Sequence, residues 1–284
     1  MSATIAAGAA SSMPTEPRSR VAALISDVDG TLVTDDKRLT DRTCAAVSAL
    51  RRAGIAFSIV SSRPPRGLRM LIEPLGLSAP LAAFNGGLLV TPQLAAMGEP
   101  HFMPPAVVRR VIEFLDARGA DVWVFTAEEW RVRDAGGAYV GREERTVRFP
   151  PRVVRDFGVD NVGKVVGVSE DFELLQRLEA EAGTAFEGHA TAVRSQPYYL
   201  DFTHPRADKG VAFSALAKLL GAPAERIAAI GDGRNDLAMF EQAGLSIAMG
   251  NAFAEVREAA DLVTRSNAED GFAHAVEQFI LRQA

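Results

Sequence analysis

The segment Asp27-Val28-Asp29-Gly30-Thr31-Leu32 follows the apolar run Val21-Ala22-Ala23-Leu24-Ile25, with Ser26 between them. A short continuous apolar run feeding into acidic and Gly-rich punctuation reads as a buried parallel strand ending at a loop. Open α/β sheets place their ligands at that end of a parallel strand. Two positions apart, Asp27 and Asp29 fall on the same side of the chain wherever the extended conformation persists. Two carboxylates held together repel, so such a pair calls for a cation or a shared proton. A plain capped turn, with Asp29 bonding its own backbone and Gly30 at positive φ, accounts for the same letters. The rest of the chain decides between them.

The chain has 284 residues, enough for one large domain or two smaller ones with a substantial core. With 48% hydrophobic and 24% charged residues it has the composition of a globular protein. A net charge of −5 argues against a nucleic-acid partner held by bulk electrostatics. Cys44 is the one cysteine, so no intrachain disulfide forms, and a reducing cytoplasm is the expected setting. Its neighbours Ala45, Ala46, Val47 and Leu50 suit a buried helix thiol rather than a nucleophile. No apolar run approaches the ~20 residues that span a bilayer, so no membrane association is expected. Residues 1–20, rich in Ala and Ser, lack the pattern of a signal peptide and are expected to form a disordered tail.

Beyond the first strand, Thr40-Asp41 reads as a helix start and Gly54 as its end. Ile55–Val60 is a second buried strand, ending in Ser61-Ser62-Arg63-Pro64-Pro65, and a helix over about 67–75 follows. A third strand, Leu81–Phe84, ends at Asn85-Gly86-Gly87. Strand and helix in alternation predict a doubly wound parallel α/β sheet. The rhythm breaks in the middle. Two amphipathic helices, near 105–118 and 171–182, are mixed there with strands at 122–125, 130–133, 162–168 and 198–202, and this stretch holds every Trp and Tyr of the chain. An inserted α+β module is expected at 87–203, within a core formed by 21–86 and 204–284. The parallel rhythm resumes with helix Lys209–Leu220, strand Ile227–Ile230, helix Asp236–Gln242 and strand Leu245–Met249.

Ala228-Ala229-Ile230-Gly231-Asp232-Gly233-Arg234-Asn235-Asp236 is a second apolar strand closed by a Gly-flanked carboxylate. If it lies beside the first strand, Asp232 reaches the crevice of Asp27 and Asp29, and three hard oxygen ligands there suit Mg²⁺. Asn235 and Asp236 also read as a simple N-cap and a favourable first-turn acid. The hydroxyl and backbone amide of Ser61 are placed to bind a phosphate oxygen at a helix start. An ordinary helix-entry serine reads equally well. Lys209, after Asp208, puts a cation near the clustered carboxylates.

In this order the segments resemble the haloacid dehalogenase superfamily of phosphotransferases. Its four motifs match as Asp27-Val28-Asp29-Gly30-Thr31, Ser61, Lys209, and Gly231-Asp232-Gly233-Arg234-Asn235-Asp236. Ser61-Ser62-Arg63-Pro64, Asn85-Gly86-Gly87 and Asp208-Lys209-Gly210 narrow the resemblance to the Cof-type subgroup (subclass IIB), which carries a large α+β cap of C2B type where the inserted module lies. Ser62 departs from the Gly often found in that subgroup.

The resemblance implies a Mg²⁺-dependent phosphatase of small phosphorylated metabolites, sugar phosphates or their relatives, monomeric or homodimeric. Asp27 would be the nucleophile that forms an aspartyl-phosphate, and Asp29 the general acid and base, with a pKa above that of Asp27. Asp27, Asp232 and Asp29 (through its carbonyl) would hold the metal, with Asp236 in support. Ser61 and Lys209 would clamp the phosphoryl oxygens. Ser62, Arg63, Asn85 and Gly86 complete the expected phosphate and substrate site, and Asn235 would orient Lys209 or the metal loop. Within the module, Arg133, Arg142, His189 and Arg194 are the candidates for substrate contact. A sugar phosphomutase with the same core and a similar cap is the alternative, and a catalytically inactive regulatory module the bland one.

Overall fold

The computed structural model describes residues 21–283, and the tail expected over 1–20 lies outside them. Strand β1 (Ala23–Ser26), helix α1 (Asp41–Arg52), strand β2 (Ala56–Ile59) and helix α2 (Pro65–Leu75) form the first alternating units. Thr40 caps α1, its hydroxyl accepting from the Thr43 amide, which satisfies one donor of the open first turn. Helix α2 opens on Pro65, where a missing amide costs nothing, and closes on left-handed Gly76.

Strands β3 (Leu81–Ala83), β4 (Leu88–Val90) and β5 (Ala96–Met97) follow. Sequence makes the 81–84 segment a third parallel strand, but it touches the parallel sheet through one bridge, Val60 to Ala82, and pairs instead in an antiparallel ribbon β3-β4-β5. The cause is local: Phe84 and Asn85 take φ of 51° and 55°, which reverses the chain within a few residues.

The next stretch comprises α3 (Pro105–Asp116), β6 (Asp121–Thr126), β7 (Trp130–Val132), α4 (Val140–Val147), β8 (Arg152–Val153), β9 (Val162–Val168), α5 (Phe172–Ala185), β10 (Thr191–Gln196) and β11 (Tyr199–Thr203). Its strands form a second sheet, ordered β10-β11-β9-β6-β7-β8. Register sets Trp123 across from Val166 and Val166 across from Asp201, with Phe125, Lys164 and Thr203 forming the next row. Residues directly opposite share a face. The alternate residues Val122, Val124, Val165, Leu200 and Phe202 pack beneath α3 and α5. The Trp123 face joins the apolar cluster of Phe84 and Leu88 from the first half of the chain. A Cβ at Gly163 would stand 2.5 Å from the Phe84 ring, so glycine there permits this approach.

Helix α6 (Lys209–Leu220), β12 (Ile227–Gly231), α7 (Leu237–Phe240), β13 (Leu245–Ala248), α8 (Ala254–Ala259), β14 (Leu262–Val263) and α9 (Gly271–Ala275) follow, and the chain stays helical over Val276–Ile280. The main sheet is all parallel, ordered β14-β13-β12-β1-β2. Every residue of β1, β12 and β13 is buried, as expected for strands covered on both faces. Strand β1 lies between β2, reached directly, and β12, reached after the whole intervening stretch. The order reverses there, which opens a crevice beyond the carboxyl ends of β1 and β12. Among the described residues no helix is long and apolar enough to cross a membrane.

Candidate active site

Asp27 is the first residue past β1, held in register by its amide donating to the Ile230 carbonyl at 2.9 Å. The chain then turns tightly, with the amides of Thr31, Leu32 and Val33 all converging on the Val28 carbonyl. Gly30 makes the turn possible. Its φ is 84°, and a Cβ there would lie 2.2 Å from Asp232 Oδ2. Thr31 Oγ1 donates to Asp232 Oδ1 at 2.8 Å, so the loops after β1 and β12 are interlocked.

Carboxylate oxygens of Asp27, Asp232 and Asp236 lie within 4.8 Å of one another. Lys209 Nζ, buried at the start of α6, donates to Asp27 Oδ1 at 2.6 Å and to Asp236 Oδ1 at 2.5 Å. The other Asp236 oxygen accepts from the amides of Asp232 (2.9 Å) and Gly233 (2.8 Å). Burial, then the neighbouring Asp236 and Asp232, pushes the Asp27 carboxyl well above the ordinary range, against the pull of Lys209. Burial and Asp236 push Asp232 up to about 6. Burial alone would discharge Lys209, yet Asp236 and Asp27 keep its ammonium above the usual value. Two buried carboxylates, with half-buried Asp232 beside them, thus gather around one cation, and the group is short of positive charge. Hard oxygens crowded in this way fit a divalent cation such as Mg²⁺. Asp27 and Asp232 have oxygen free for one, whereas Asp236 is committed to the two amides and Lys209.

Asp29 departs from expectation. Its carboxylate is outside the group and is gripped by Arg63, Nε to Oδ2 at 2.7 Å and Nη2 to Oδ1 at 2.8 Å, with Lys37 Nζ on Oδ1 at 2.8 Å. Burial raises its pKa, but the two cations prevail and hold it well below the carboxylate range. Without a metal, Asp27 is therefore the weaker acid and Asp29 the stronger, the opposite of the order expected beside Mg²⁺. The same contact occupies Arg63, whose Nη1 also donates to the Gly67 carbonyl at 3.3 Å, so its guanidinium serves a carboxylate rather than a phosphate site. Lys37 had no signal in sequence, being one lysine of a polar turn.

Ser61 is buried at the end of β2. Its amide is not available to a phosphate, because it donates to the Ala82 carbonyl at 2.9 Å. Its hydroxyl accepts from the Arg63 amide at 3.2 Å, and Ser62, half-buried, lies between the two. Asn235, expected to orient Lys209 or the metal loop, donates to Asn85 Oδ1 at 3.2 Å instead. Gly86 takes φ of 98° and meets α6: a Cβ would stand 2.7 Å from Ala212 Cβ, so its role is close packing.

The four residues singled out in the inserted stretch do not converge. Arg133 pairs with Asp116 and Arg194 with Glu179, Arg142 lies 5.1 Å over the Tyr198 ring, and His189 is exposed. Buried charge appears elsewhere. Lys164 Nζ sits 3.4 Å from Asp201 Oδ2 on the Trp123 face of the second sheet. Glu143 of α4 is buried, and burial raises its pKa while Lys164 and Arg63 lower it. The one visible signal was a lone lysine in the otherwise apolar strand Val162–Val168.

The model of the haloacid dehalogenase-like hydrolases matches residues 24–276. The chain is 32% identical over 270 residues, 90% of its own length and 97% of the relative's, to M6_Spy0533 of Streptococcus pyogenes serotype M6, a protein named as an inferred phosphatase. It is 26% identical over 273 residues, 89% of its length and 95% of the relative's, to the 5-amino-6-(5-phospho-D-ribitylamino)uracil phosphatase YitU of Bacillus subtilis. A haloacid dehalogenase-like hydrolase from Bacteroides thetaiotaomicron superposes with a TM-score of 0.83 at 29% identity, covering 91% of this chain and 99% of its own. The acidic crevice at the switch point of a parallel sheet and these matches agree: the chain belongs to the haloacid dehalogenase-like hydrolases, as a phosphatase of their Cof type.

Proposed function

We propose that this protein is a Mg²⁺-dependent phosphatase of small phosphorylated metabolites, sugar phosphates or close relatives, working through an aspartyl-phosphate on Asp27. The observation that carries the reading is Asp27 itself, buried at the end of β1, 2.6 Å from the Lys209 ammonium and grouped with Asp232 and Asp236. Mg²⁺ held by Asp27 and Asp232, with the Asp29 carbonyl and Asp236 in support, would neutralise charge on the transferring phosphoryl group.

The protein's own groups supply the rest. Lys209 keeps Asp27 oriented and adds positive charge where the phosphoryl oxygens arrive, and the Ser61 hydroxyl takes one of them. An Asp27 oxygen bonds to phosphorus as the bond to the leaving oxygen breaks. Asp29 donates a proton to that oxygen, then takes one from the water that cleaves the acyl phosphate. Asp29 is an ion pair with Arg63 in the present arrangement, so the first transfer requires that grip to loosen. Residues 21–86 and 204–284 form the catalytic core in this reading, and 87–203 the cap that excludes water. YitU, whose substrate is a phosphorylated ribityl compound, is in keeping with a small-metabolite substrate.

Phosphate release from a panel of phosphorylated metabolites tests the reading. Activity should require Mg²⁺, with Ca²⁺ a poor substitute, and should vanish in Asp27→Asn. Full-rate hydrolysis in EDTA, or an active Asp27→Asn protein free of deamidation, would overturn it.

A further inference from the structure

Asp29 is held by two cations that are anchored differently. Arg63 reaches it from inside the core: its side chain is buried and its Nη1 is also tied to the Gly67 carbonyl. Lys37 reaches Oδ1 from a surface turn, closed by the Lys37 amide on the Thr34 carbonyl (2.8 Å) and the Thr34 amide on the Arg38 carbonyl (3.0 Å). The base of that turn is fixed to the core, where Asn267 Nδ2 donates to the Val33 carbonyl at 3.1 Å and to Asp35 Oδ1 at 3.0 Å. Its tip is fixed from the inserted stretch. Arg148 Nη2, just past α4, donates to the Lys37 carbonyl at 2.8 Å. Both residues take a left-handed φ, 61° at Lys37 and 63° at Arg148, which residues other than glycine seldom adopt.

We propose that Lys37 is a positioning residue for Asp29, and that Arg148 makes its placement depend on how the inserted stretch is seated; the proposal rests on the phosphatase reading above. Lys37 shares Oδ1 with Arg63 Nη2, whereas Oδ2 is held by Arg63 Nε. When the Arg63 grip loosens, Lys37 still holds Oδ1, and Oδ2 is the oxygen set free. The proton then passes from Oδ2 to the leaving oxygen, which has kept the electron pair of the broken P–O bond, and the O–H pair returns to the carboxyl. Without Lys37 the freed carboxyl turns about its own bonds, and the alignment that proton transfer needs is lost.

The end of α4 is seated beside both grips. A Cβ on Gly67 would lie 3.5 Å from the Cβ of Val147, the last residue of α4, and the Arg66 guanidinium lies 4.5 Å over the Phe149 ring. Gly67 is the residue whose carbonyl takes Arg63 Nη1. Residues 147–149 therefore meet both elements that hold Asp29, the 34–38 turn and the first turn of α2, so direct contacts connect the proton donor to the inserted stretch. A partly exposed ion pair adds little to stability, so what Lys37 contributes is the place in which it holds Asp29.

Phenyl phosphate and p-nitrophenyl phosphate, close in shape, separate this role from a general loss. p-Nitrophenolate departs without a proton, whereas phenolate is the poorer leaving group and draws on Asp29. With saturating Mg²⁺, Lys37→Met should lower the ratio of kcat/KM for the phenyl ester over the p-nitrophenyl ester by at least about fivefold, within what general acid catalysis contributes. Lys37→Arg keeps a cation there and should bring the ratio back to within about threefold of wild type. Arg148→Met should lower it by at least about twofold, through misplacement of the turn. Arg152→Met removes an exposed cation of the inserted stretch, paired with Glu129, and should leave the ratio where it is. A smaller fall in Lys37→Met, or no rescue by arginine, overturns the positioning role. A smaller fall in Arg148→Met, or an equal one in Arg152→Met, overturns the coupling to the inserted stretch. If the wild type releases phosphate from neither ester, it is the phosphatase reading that fails.

Discussion

Arg63 holds both carboxylate oxygens of Asp29, at 2.7 and 2.8 Å, from a guanidinium that is 2% exposed. A bidentate, charge-assisted pair of this kind strongly favours the ionised acid. An acid kept so strong cannot deliver a proton near neutrality, so in the proposed mechanism Arg63 governs when Asp29 becomes a donor.

Replacing Arg63 by Met should therefore raise the Asp29 pKa, leaving only Lys37 beside it. The limb of the kcat/KM profile that reports Asp29 should move upward by about one pH unit or more, as expected on losing a close cation. Phosphate release between pH 4 and 9 measures it. Superposable profiles for the two proteins would show that Arg63 does not set the Asp29 proton.

The sequence made the core legible because its signals are local. The run Val21–Ile25 ahead of Asp27, and Ile227–Ile230 ahead of Asp232, each announce a buried strand and the loop at its end. The Asp29–Arg63 contact was not legible, although both residues were singled out, because it depends on how two loops meet across β1 and β2. Glu143, Lys164 and Asp201 were missed for the same reason: they come from one helix and two strands, and sheet register alone brings Lys164 near Asp201. Helix α4 and strand β10 went unread because their apolar positions are sparse, and α4 packs through Val140 and Val147 alone among its apolar residues.

Lys209 is the one cation within hydrogen-bond distance of Asp27 and Asp236 among the described residues. Lys209→Met would leave buried carboxylates without it, which costs roughly 3–5 kcal/mol when a buried pair is broken. Urea unfolding in EDTA should show that loss, and saturating Mg²⁺ should recover part of it. A stability within ~1 kcal/mol of wild type in EDTA would mean that the carboxylates take up protons without penalty.

Gly30 combines positive φ with a site where a Cβ would meet Asp232 at 2.2 Å. Gly30→Ala should cost about 1 kcal/mol for the backbone alone, and more for the displaced carboxylate. Because Asp232 must shift, the Mg²⁺ concentration that half-restores activity should rise by about tenfold or more, a change worth ~1.4 kcal/mol. Unchanged Mg²⁺ dependence would separate the loop after β1 from the metal site.

The metal-free protein should lose stability as pH rises through about 6. Asp232 is raised to about 6 and Asp27 well above its usual value, so between about 4 and 6 the folded chain holds protons that the unfolded chain has released. The stability they contribute is complete below the unfolded pKa and disappears as pH passes the folded one. His101, His204 and His274 are pushed below their usual value, first by burial, and work in the opposite direction. Asp232→Asn isolates the carboxylate, and its stability should decline less than that of wild type between pH 5 and 8, by on the order of 1 kcal/mol. Saturating Mg²⁺ should remove the wild-type decline, since a cation replaces the protons and binds the folded state alone. Thermal unfolding of both proteins in EDTA and in Mg²⁺ provides the four curves. Parallel pH slopes for wild type and Asp232→Asn in EDTA would show that crowding of Asp232 with Asp27 and Asp236 does not burden the empty site.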